Sequence, residues 1–411
     1  MGSWKEDIIA NVIEKIATGK TPPTTNKEYF DGDIDWYTPQ DLVNRIELHD
    51  SKRKISKKAL QDKKAVVFDP GTLLITCIGN IGRLGITTKY SSSNQQITGL
   101  RFRPIIDTRF AFYYFLFIQS ELEHKANSAV VPILNNAGLK EIKISYPDIK
   151  TQKQIACILE DADRARQQRK AANALTEQFL QSSFLYLFGD PVQNEKGWEV
   201  KKLEDLGKWQ SGGTPSRKVE EFFGGIIPWY TSGELNQMFV SKSSEYITEQ
   251  AIKNSNAKIV EPNSLLLGMY DTAALKSSIT TINSACNQAI AYSKLENGNA
   301  NIFYVYHAIQ YGKEHFKSQQ RGVRQKNLNL TMVKELLLPL PPLPLQQHFA
   351  SLVADAEILR QKQQQSEQEL EQLFQALLQR YFAKNTPVVS LLNEQQIAMV
   401  AEPEESYSVP S

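Results

Sequence analysis

The hydrophobic and polar positions of this chain follow one pattern twice. Nearly every apolar position in residues 19–188 recurs about 193 residues later, while the polar residues between them differ. Residues 34–38, Ile-Asp-Trp-Tyr-Thr, return for example as Ile-Pro-Trp-Tyr-Thr at 227–231. Solenoid repeats have periods of only about 20 to 50 residues, so each copy is expected to be a folded domain with its own core.

Within each copy, the pattern predicts mixed α and β structure. Residues 66–68 and 73–76 are β-branched or apolar and flank an Asp-Pro-Gly turn, which predicts two strands. Residues 110–123 and 303–316 are rich in aromatic side chains and too long for ordinary strands, so they predict buried helices. The glycine-rich residues 79–85 should join two strands. The predicted fold class is therefore α/β, of the α+β type.

Each copy ends in a long predicted helix. The first runs from about Thr151 to Phe188, where Gly-Asp-Pro follows and stops it. The second runs from about Leu345 to Phe382 and is preceded by a proline-rich stretch. Pro147 occupies the equivalent place in the first copy, which favours a stiff lead-in to a helix over a ligand for an SH3 domain.

Both helices carry apolar or small residues at alternating spacings of four and three, which is typical of a coiled coil. The predicted seam consists of Ile158, Ala162, Ala165, Arg169, Ala172, Thr176, Phe179 and Ser183 in the first helix, and of Leu352, Ala356, Leu359, Gln363, Ser366, Leu370, Leu373 and Leu377 in the second. Arg169 and Gln363 interrupt the seam at equivalent positions and should fix the helix register. The alternative is two unrelated surface helices.

These elements predict the domain organisation of the chain. Residues 1–150 and 189–344 form the two domains, and residues 151–188 and 345–383 form the two helices. Residues 384–411 lack periodicity and include an acidic, proline-containing stretch, so we expect a flexible tail.

Composition is that of an ordinary soluble globular protein, with 41% hydrophobic and 22% charged residues in a chain of 411. The most apolar run is about half the length of a membrane span, and the charged N-terminus does not resemble a secretory signal, so we expect a cytoplasmic protein. Cys77, Cys157 and Cys286 lie far apart without paired spacing. We expect buried thiols rather than a disulfide framework or a metal site.

Motifs of catalytic chemistry are incomplete or absent from the sequence. Gly19-Lys20-Thr21 resembles the end of a phosphate-binding loop, but Glu14 occupies the place of a required glycine and Gly213 replaces the lysine in the second copy. The five histidines show no metal-ligand spacing, and neither the tetrad of an amino-methyltransferase nor the carboxylate set of a nuclease is found. The sequence therefore predicts a binding protein without its own catalytic centre, metal or cofactor.

Basic residues cluster in both copies, although the formal net charge is only +2. Such clusters can neutralise the phosphates of a nucleic acid. A solvated charged face is the alternative for any single cluster, but clusters in both copies favour nucleic acid. Arg101 and Arg103 form one further basic pair. The basic residues predicted to contact the nucleic acid are Lys52, Arg53, Lys54, Lys57, Lys58, Arg217, Lys218, Arg321, Arg324 and Lys326.

The order of the repeated motifs resembles a known family. Gly-x-Thr-Pro, Trp-Tyr-Thr, Pro-x-x-Leu-Leu, a Lys-Glu-Ile/Leu segment before a proline, and Gln-x-x-Ile/Phe-Ala occur in this order twice between Trp4 and Phe382. In this combination the chain resembles the specificity subunit of type I restriction–modification systems.

The resemblance implies two target recognition domains, each reading one half of a bipartite DNA site, separated by two long antiparallel coiled-coil helices. These helices would dock two methyltransferase subunits, which would carry S-adenosylmethionine and modify adenine. Separate restriction subunits, which combine a motor and a nuclease, would cut the DNA, and this chain would be no enzyme. Because the polar positions of the two domains differ, the DNA site should be asymmetric.

Positions that recur in both copies are expected to form a framework, because residues that read different half-sites should differ. The predicted framework residues are Trp36, Trp229, Pro70, Pro262, Asn94, Gln95, Asn287 and Gln288. The basic residues 320–327 have no basic counterpart at 126–133, so the first copy should rely on residues 52–64. The competing hypotheses are a DNA-independent coiled-coil scaffold and an enzyme with an unrecognised site.

Overall fold

The structure is a computed structural model that describes residues 4–126, 132–270, 274–295, 298, 300–318 and 328–383. It forms two compact units. Unit 1 comprises residues 1–170 and 365–411, and unit 2 comprises residues 171–364. Both units contain sheets and helices, which confirms the mixed fold class.

Unit 1 contains ten strands among its described residues. They are β1 Lys5–Ile8, β2 Ile13–Thr18, β3 Phe30–Tyr37, β4 Arg45–Glu47, β5 Lys54–Ile55, β6 Leu73–Thr76, β7 Leu84–Ile86, β8 Ser91–Ser93, β9 Ile97–Phe102 and β10 Lys143–Tyr146. Its short helices are α1 Ile9–Val12, α2 Lys57–Gln61, α3 Thr108–Phe117, α4 Gln119–Lys125 and α5 Asn136–Lys140. The long helix α6, Ile149–Phe188, begins in this unit and ends in unit 2.

Unit 2 repeats this series of elements. Its strands are β11 Glu199–Lys202, β12 Gln210–Ser211, β13 Phe223–Tyr230, β14 Phe239–Val240, β15 Tyr246–Ile247, β16 Ser264–Gly268, β17 Ser277–Thr280, β18 Ala285–Cys286, β19 Ile290–Ser293 and β20 Leu337–Leu340. Its short helices are α7 Leu203–Leu206, α8 Glu249–Asn254, α9 Ile302–Ser318 and α10 Leu330–Lys334. The second long helix, α11, spans Leu343–Phe382 and ends in unit 1.

The sheets have the same strand order in both units. Unit 1 has a five-stranded sheet β2-β9-β6-β7-β4, a three-stranded sheet β5-β3-β8 and the pair β1-β10. Unit 2 has β12-β19-β16-β17-β14, β15-β13-β18 and β11-β20. The structural repeat therefore begins at β1 and β11, earlier than Gly19, where the sequence match begins.

The core of unit 1 joins helix α3 to the second half of α11. Phe110 of α3 lies with its ring centroid 5.3 Å from that of Phe382 and 6.2 Å from that of Trp4. Tyr113, also on α3, lies 6.1 Å from Phe374 of α11. Burial of aromatic side chains is a large hydrophobic contribution, so the second half of α11 is part of this core.

The core of unit 2 has the corresponding arrangement around α9. Phe184 of α6 stacks on Tyr304 with a centroid distance of 5.6 Å. Phe188 lies 4.8 Å from the same tyrosine ring and 5.5 Å from Phe349 of α11. The second half of α6 is therefore part of the unit 2 core.

The long helices are antiparallel within unit 2. Gln363 Nε2 donates a hydrogen bond to Thr176 Oγ1 at 3.0 Å, and the rings of Phe184 and Phe349 lie 5.4 Å apart. Contacts at higher residue numbers of α6 therefore involve lower residue numbers of α11. Both partners in the Gln363–Thr176 bond are buried, so each satisfies the other's polar group.

A buried glutamine explains the Gln-x-x-Ile/Phe-Ala motif at the start of each long helix. Gln152 Nε2 donates to the carbonyls of Ile105 and Pro147, and its Oε1 accepts from Asp107 N, all at 2.9 Å. Gln346 bonds in the same way to the Pro341 carbonyl at 2.7 Å and to Asn301 N at 2.8 Å. Each side chain satisfies backbone groups around the first turn of its helix.

These bonds also correct the alignment of the two copies. By sequence alone, Phe112 and Tyr113 resemble Phe303 and Tyr304, but the bonds of Asp107 and Asn301 make those two N-terminal residues equivalent. Tyr304 therefore corresponds to Phe110. The loops before the two helices differ in length, which shifts the sequence match.

Two local predictions are wrong. Residues 66–68 form no strand, and only Phe68 makes an isolated bridge, to Ser91. The predicted helix at 110–123 is interrupted at Ile118, between α3 and α4. The proline-rich stretch leads into α11, as predicted, and its first residue, Pro339, lies within β20 opposite Val200, in a two-stranded sheet that tolerates a residue without an amide proton. The glycine-rich loop between β6 and β7 is confirmed.

The buried face of the long helices differs from the predicted seam. Ile158, Phe179 and Leu359 are 39%, 54% and 46% exposed. Their neighbours Leu159 and Leu180 are instead fully buried. Each long helix packs against shorter helices as well as against the other long helix, so the buried stripe is shifted by one residue at Ile158 and Phe179.

The prediction of three buried thiols is wrong for one cysteine. Cys77 and Cys286 are buried, and burial raises the pKa of their thiols, to about 11 and about 12. Cys157 is exposed because α6 turns Ala156 and Leu159 toward the core and leaves position 157 outside.

His307 makes the unit 2 core sensitive to acid. The ring is buried beside Phe349, at a centroid distance of 5.2 Å, and its Nε2 has no hydrogen-bond partner in the described part of the chain. Burial lowers the pKa of His307 to about 4. The unfolded chain therefore binds a proton that the folded chain excludes between about pH 6.5 and 4.

We expect the free energy of unfolding of unit 2 to fall by about 3 kcal/mol from this residue as the pH drops from about 7 to 4. His307→Phe should remove this contribution, because a phenyl ring takes no proton. Urea titrations across this pH range would measure it. His348→Gln is the control at an exposed histidine, and an equal effect of both substitutions would contradict the assignment.

Candidate functional site

A buried tryptophan holds the Gly-x-Thr-Pro loop in each unit. Trp36 Nε1 donates to the carbonyl of Lys20 at 3.2 Å, and Trp229 Nε1 donates to the carbonyl of Gly213 at 3.0 Å. Both indole rings are almost fully buried. The two tryptophans therefore lie in positions suited to a framework.

The Asn-Gln pairs close the same loop from the other side. The threonine hydroxyl of each Gly-x-Thr-Pro motif donates to the glutamine, from Thr21 to Gln95 at 2.5 Å and from Thr214 to Gln288. The preceding asparagines, Asn94 and Asn287, each accept a backbone amide two residues later, at 3.0 and 3.1 Å. These polar groups bond within the protein.

The first glycine of the motif is required by close backbone packing. A Cβ atom at Gly19 would lie 2.3 Å from the Asn94 carbonyl oxygen, and one at Gly212 would lie 2.2 Å from the Cys286 carbonyl oxygen. Any larger residue would push the loop away from β8 or β18.

Pro70 and Pro262 lie in the tight turns before β6 and β16. The residue after each proline has a positive φ, 79° at Gly71 and 60° at Asn263. Proline followed by a left-handed residue is typical of a type II turn. The Pro70 carbonyl also accepts a hydrogen bond from Arg101.

The basic segment of unit 1 lies on one edge of the β5-β3-β8 sheet. Lys52 and Arg53 precede β5, Lys54 lies in it, and Lys57 and Lys58 begin α2. The Lys58 ammonium lies 3.2 Å from an Asp62 carboxylate oxygen, which raises its pKa. Lys52, Arg53 and Lys57 are exposed and make no ion pair within the described residues.

A buried carboxylate fixes the base of this segment, and the sequence analysis missed it. Asp35 is fully buried in β3, and its Oδ1 accepts bonds from Ser51 N at 3.0 Å and Ser51 Oγ at 2.9 Å. Lys89 Nζ lies 2.8 Å from the other oxygen and 2.6 Å from Asp50. Hydrogen bonds to Asp35 and Asp50 raise the pKa of Lys89. An acidic residue in a buried strand, where Pro228 stands in the second copy, was the available signal.

In unit 2, one of the predicted basic residues forms an internal ion pair. Both terminal nitrogens of Arg217 donate to the carboxylate of Glu245 at 2.7 Å, and this hydrogen bonding raises the pKa of Arg217. Lys218 is exposed and has no ion pair among the residues described. The other predicted contacts, Arg321, Arg324 and Lys326, lie outside the described residues.

The basic pair Arg101 and Arg103 has structural partners. Arg103 Nε donates to the Ile13 carbonyl at 3.1 Å, and Arg101 bonds to the carbonyl of Pro70. Both side chains stabilise backbone around β9, which leaves the pair poorly suited to bind phosphate.

In each unit, an ion-pair cluster joins the two long helices. In unit 1, Arg166 lies 3.2 Å from Asp163 and 2.8 Å from Glu371. Desolvation raises the pKa of the Asp163 carboxyl. In unit 2, Arg360 pairs with Glu357 and Glu177. Equivalent clusters show that the two helix segments repeat their pairing as well as their sequence.

The two predicted register residues have different surroundings. Gln363 is buried and bonded to Thr176, as described above. Arg169 is half-buried, and its Nε has no hydrogen-bond partner within the described residues. The structure brings Gln363 into a specific polar contact and leaves the role of Arg169 as a prediction.

Within the residues that the structure describes, no three His, Cys, Asp or Glu side chains gather in a way that could hold a metal ion. The same residues include no helix long and apolar enough to span a membrane.

Sequence comparison identifies the family. The model of the type I restriction modification DNA specificity domain matches residues 1–176 and again residues 195–372. The specificity subunit of the type I restriction enzyme MjaIX of Methanocaldococcus jannaschii is 26% identical over 362 residues, covering 83% of this chain and 84% of that protein. The EcoR124I/EcoR124II specificity subunit of Escherichia coli is 28% identical over 187 residues, covering 43% and 45%.

Solved structures share the fold. The S subunit of a type I restriction-modification system from M. genitalium aligns with a TM-score of 0.61 and 15% identity, covering 94% of this chain and 97% of that one. A chain from a study of assembly and conformational transition of the type I R-M system aligns with a TM-score of 0.55 and 14% identity, covering 93% and 97%.

We expect Asp35→Asn to lower the free energy of unfolding by about 1 to 3 kcal/mol, because a buried hydrogen-bonded carboxylate loses its charge beside Lys89. Urea unfolding would measure the loss. Asp50→Asn removes only the exposed partner of Lys89 and should change stability little. Equal losses for both variants would show that the buried network does not fix the basic segment.

Proposed function

Because the chain belongs to the type I restriction modification DNA specificity family, we propose that it is the DNA-recognition subunit of a type I restriction–modification complex. It would have no catalytic centre of its own. Residues 1–150 and 189–344 would be its two target recognition domains.

The observation that carries this proposal is that the two units share one fold but carry different charges at equivalent positions. The sheets of both units have the same strand order, yet Asp35 is replaced by Pro228 and Arg53 by Glu245 at equivalent positions. Two domains with one scaffold and different polar edges are suited to read two different half-sites. The DNA site would then be bipartite and asymmetric.

The proposed DNA contacts of unit 1 are its exposed basic residues without ion pairs, Lys52, Arg53 and Lys57. Lys54 and Lys58 would add weaker contacts, since each has a carboxylate neighbour. In unit 2 we propose Lys218, together with Arg321, Arg324 and Lys326 on the basis of the sequence. Arg217 is a poorer candidate because Glu245 neutralises it.

The reaction itself would belong to partner subunits. Methyltransferase subunits would hold S-adenosylmethionine and methylate adenine at the site that this chain selects. Restriction subunits would supply the motor and the nuclease. The role of this chain is to position them on the duplex.

The long helices offer a docking surface for a methyltransferase subunit in unit 2. Leu175 and Phe179 on α6 are 62% and 54% exposed, and Ile358 on α11 is 56% exposed. The Glu177–Arg360 ion pair places these positions at the same level along the antiparallel helices. Exposed apolar side chains on paired helices are typical of sites that bury further helices.

Exchange of residues 1–150 for the equivalent part of a relative tests the two-reader function. One half of the methylated sequence should change and the other should stay, because each domain reads its own half-site. Sequencing of methylated adenines in cells that carry the complete system would measure this. If both halves or neither changed, the proposal would be wrong, and the second outcome would favour the DNA-independent scaffold.

We expect Leu175→Glu with Phe179→Glu to weaken methyltransferase binding by at least about 10-fold, because two charges would replace apolar contacts. Co-purification and titration of the two subunits would measure the affinity. Ile226→Glu is the matched control, since Ile226 is 85% exposed and lies on β13 rather than on either long helix. Equal losses in both variants would reject this docking surface.

A further inference from the structure

A basic cleft opens in unit 1 between the start of β3 and the segment before β5. Its volume is about 520 Å³, and its lining includes Phe30 and three consecutive basic residues, Lys52, Arg53 and Lys54. Asp31 contributes one carboxylate to the same lining. Cations therefore outnumber anions on its walls.

The position of Arg53 corresponds to that of Glu245 in unit 2. Trp36 N donates to the Arg53 carbonyl at 3.1 Å, and Trp229 N donates to the Glu245 carbonyl at 3.0 Å. The two tryptophans are equivalent, so this shared backbone bond aligns the two charged residues. The duplicated fold thus places opposite charges at one site.

The position of Thr24 corresponds to that of Arg217. A turn bond joins Asn26 N to the Pro23 carbonyl in unit 1 at 3.2 Å, and Val219 N to the Ser216 carbonyl in unit 2 at 3.1 Å. Thr24, one residue into this turn, lines the cleft.

Arg217 fills the corresponding space in unit 2. Its guanidinium lies 4.8 Å from the ring centroid of Phe223 and 5.4 Å from that of Trp229, while both terminal nitrogens bond to Glu245. Cation–π contact and a bidentate ion pair hold the side chain in this place. In unit 1, Thr24 is too short to reach across the equivalent ring, Phe30.

Two of the three cations of the cleft have no ion-pair partner among the described residues. Lys52 and Arg53 form no ion pair in the described part of the chain, and Lys54 lies 3.9 Å from Asp35. Asp35 is already bonded to Ser51 and paired with Lys89. An arginine and a lysine at the mouth of an open cleft form a site for a phosphate group, which a guanidinium binds through two parallel hydrogen bonds.

We propose that this cleft binds one backbone phosphate of the DNA duplex through Lys52 and Arg53, and that the Arg217–Glu245 pair closes the corresponding site in unit 2. The two units would thus grip their half-sites with different phosphate contacts. This inference rests on the proposed DNA-binding function.

Exchange of the paired residues between units tests the proposal in the full-length chain. Thr24→Arg with Arg53→Glu installs the unit 2 ion pair in unit 1. Arg217→Thr with Glu245→Arg opens the site in unit 2. Binding of each protein to a mixed-sequence DNA duplex is measured at several salt concentrations between about 50 and 200 mM.

The Thr24→Arg/Arg53→Glu variant should lower the slope of log affinity against log salt by about 0.9, the value for one phosphate contact. Across that salt range, its affinity should change about 3-fold less than that of the unaltered chain. The Arg217→Thr/Glu245→Arg variant should steepen the slope. An unchanged slope in the first variant would overturn the cleft site.

Controls separate the cleft from general charge and from misfolding. Lys253→Gln on α8 lowers the net charge by the same amount as the first variant, and it should leave the slope unchanged. Lys52→Gln with Arg53→Gln changes two exposed side chains and introduces no new ion pair, so this variant should fold. It should also lower the slope of log affinity against log salt. If Lys253→Gln matched the cleft variants, general charge would explain the effect and the proposal would fail.

The failure of the proposed function would look different. An unaltered chain without any salt-dependent binding to DNA would reject DNA recognition itself. Calorimetric titration with inorganic phosphate alone identifies the source of the phosphate. Binding that the Thr24→Arg/Arg53→Glu variant abolishes, with no change in its DNA slope, would reject the DNA backbone in favour of free phosphate.

Discussion

The hydrophobic core of unit 1 depends on the last turns of the last long helix. Phe374 and Phe382 lie in one cluster with Phe110 and Tyr113, although more than 200 residues separate them along the chain. Without α11, the aromatic helix α3 would leave these rings exposed, at a cost of roughly 1.5 to 3 kcal/mol for each large apolar side chain. Unit 2 has the same requirement for Phe184 and the second half of α6. The long helices are therefore parts of both cores, and their antiparallel course in unit 2 follows from packing.

The duplicated framework separates what must stay constant from what can vary. Tryptophan–carbonyl bonds, threonine–glutamine bonds and a buried glutamine recur in both units, and all of them satisfy groups inside the fold. Charged residues at the sheet edges do not form these shared internal bonds, and they differ between the two units. Where Asp35 forms an ion pair with Lys89 in one unit, Pro228 lies in the other. One scaffold can therefore present two different polar surfaces.

At the equivalent positions Arg53 and Glu245, the two units differ in the sign of the charge and in whether the residue has an ion-pair partner. Arg217 is held by Glu245 and two aromatic rings, whereas Arg53 lies at the position of that glutamate and forms no ion pair among the described residues. An internal ion pair neutralises a cation and fills the space that a ligand would need. A basic residue identified in a sequence can thus be exposed without an ion pair in one copy and form a structural contact in the other.

The sequence by itself determined the duplication, the mixed fold class and the two long helices, because hydrophobic periodicity and helix-ending residues act locally. It also indicated the exposed basic segment at residues 52–58. Only the tertiary structure decided which helix face is buried, as at Phe179 and Leu180, since that face depends on the helices packed against it. It likewise decided that Glu245 neutralises Arg217 and that Lys89 pairs with Asp35. Such pairs join residues far apart in sequence, and strand register and loop length, rather than local pattern, bring them together.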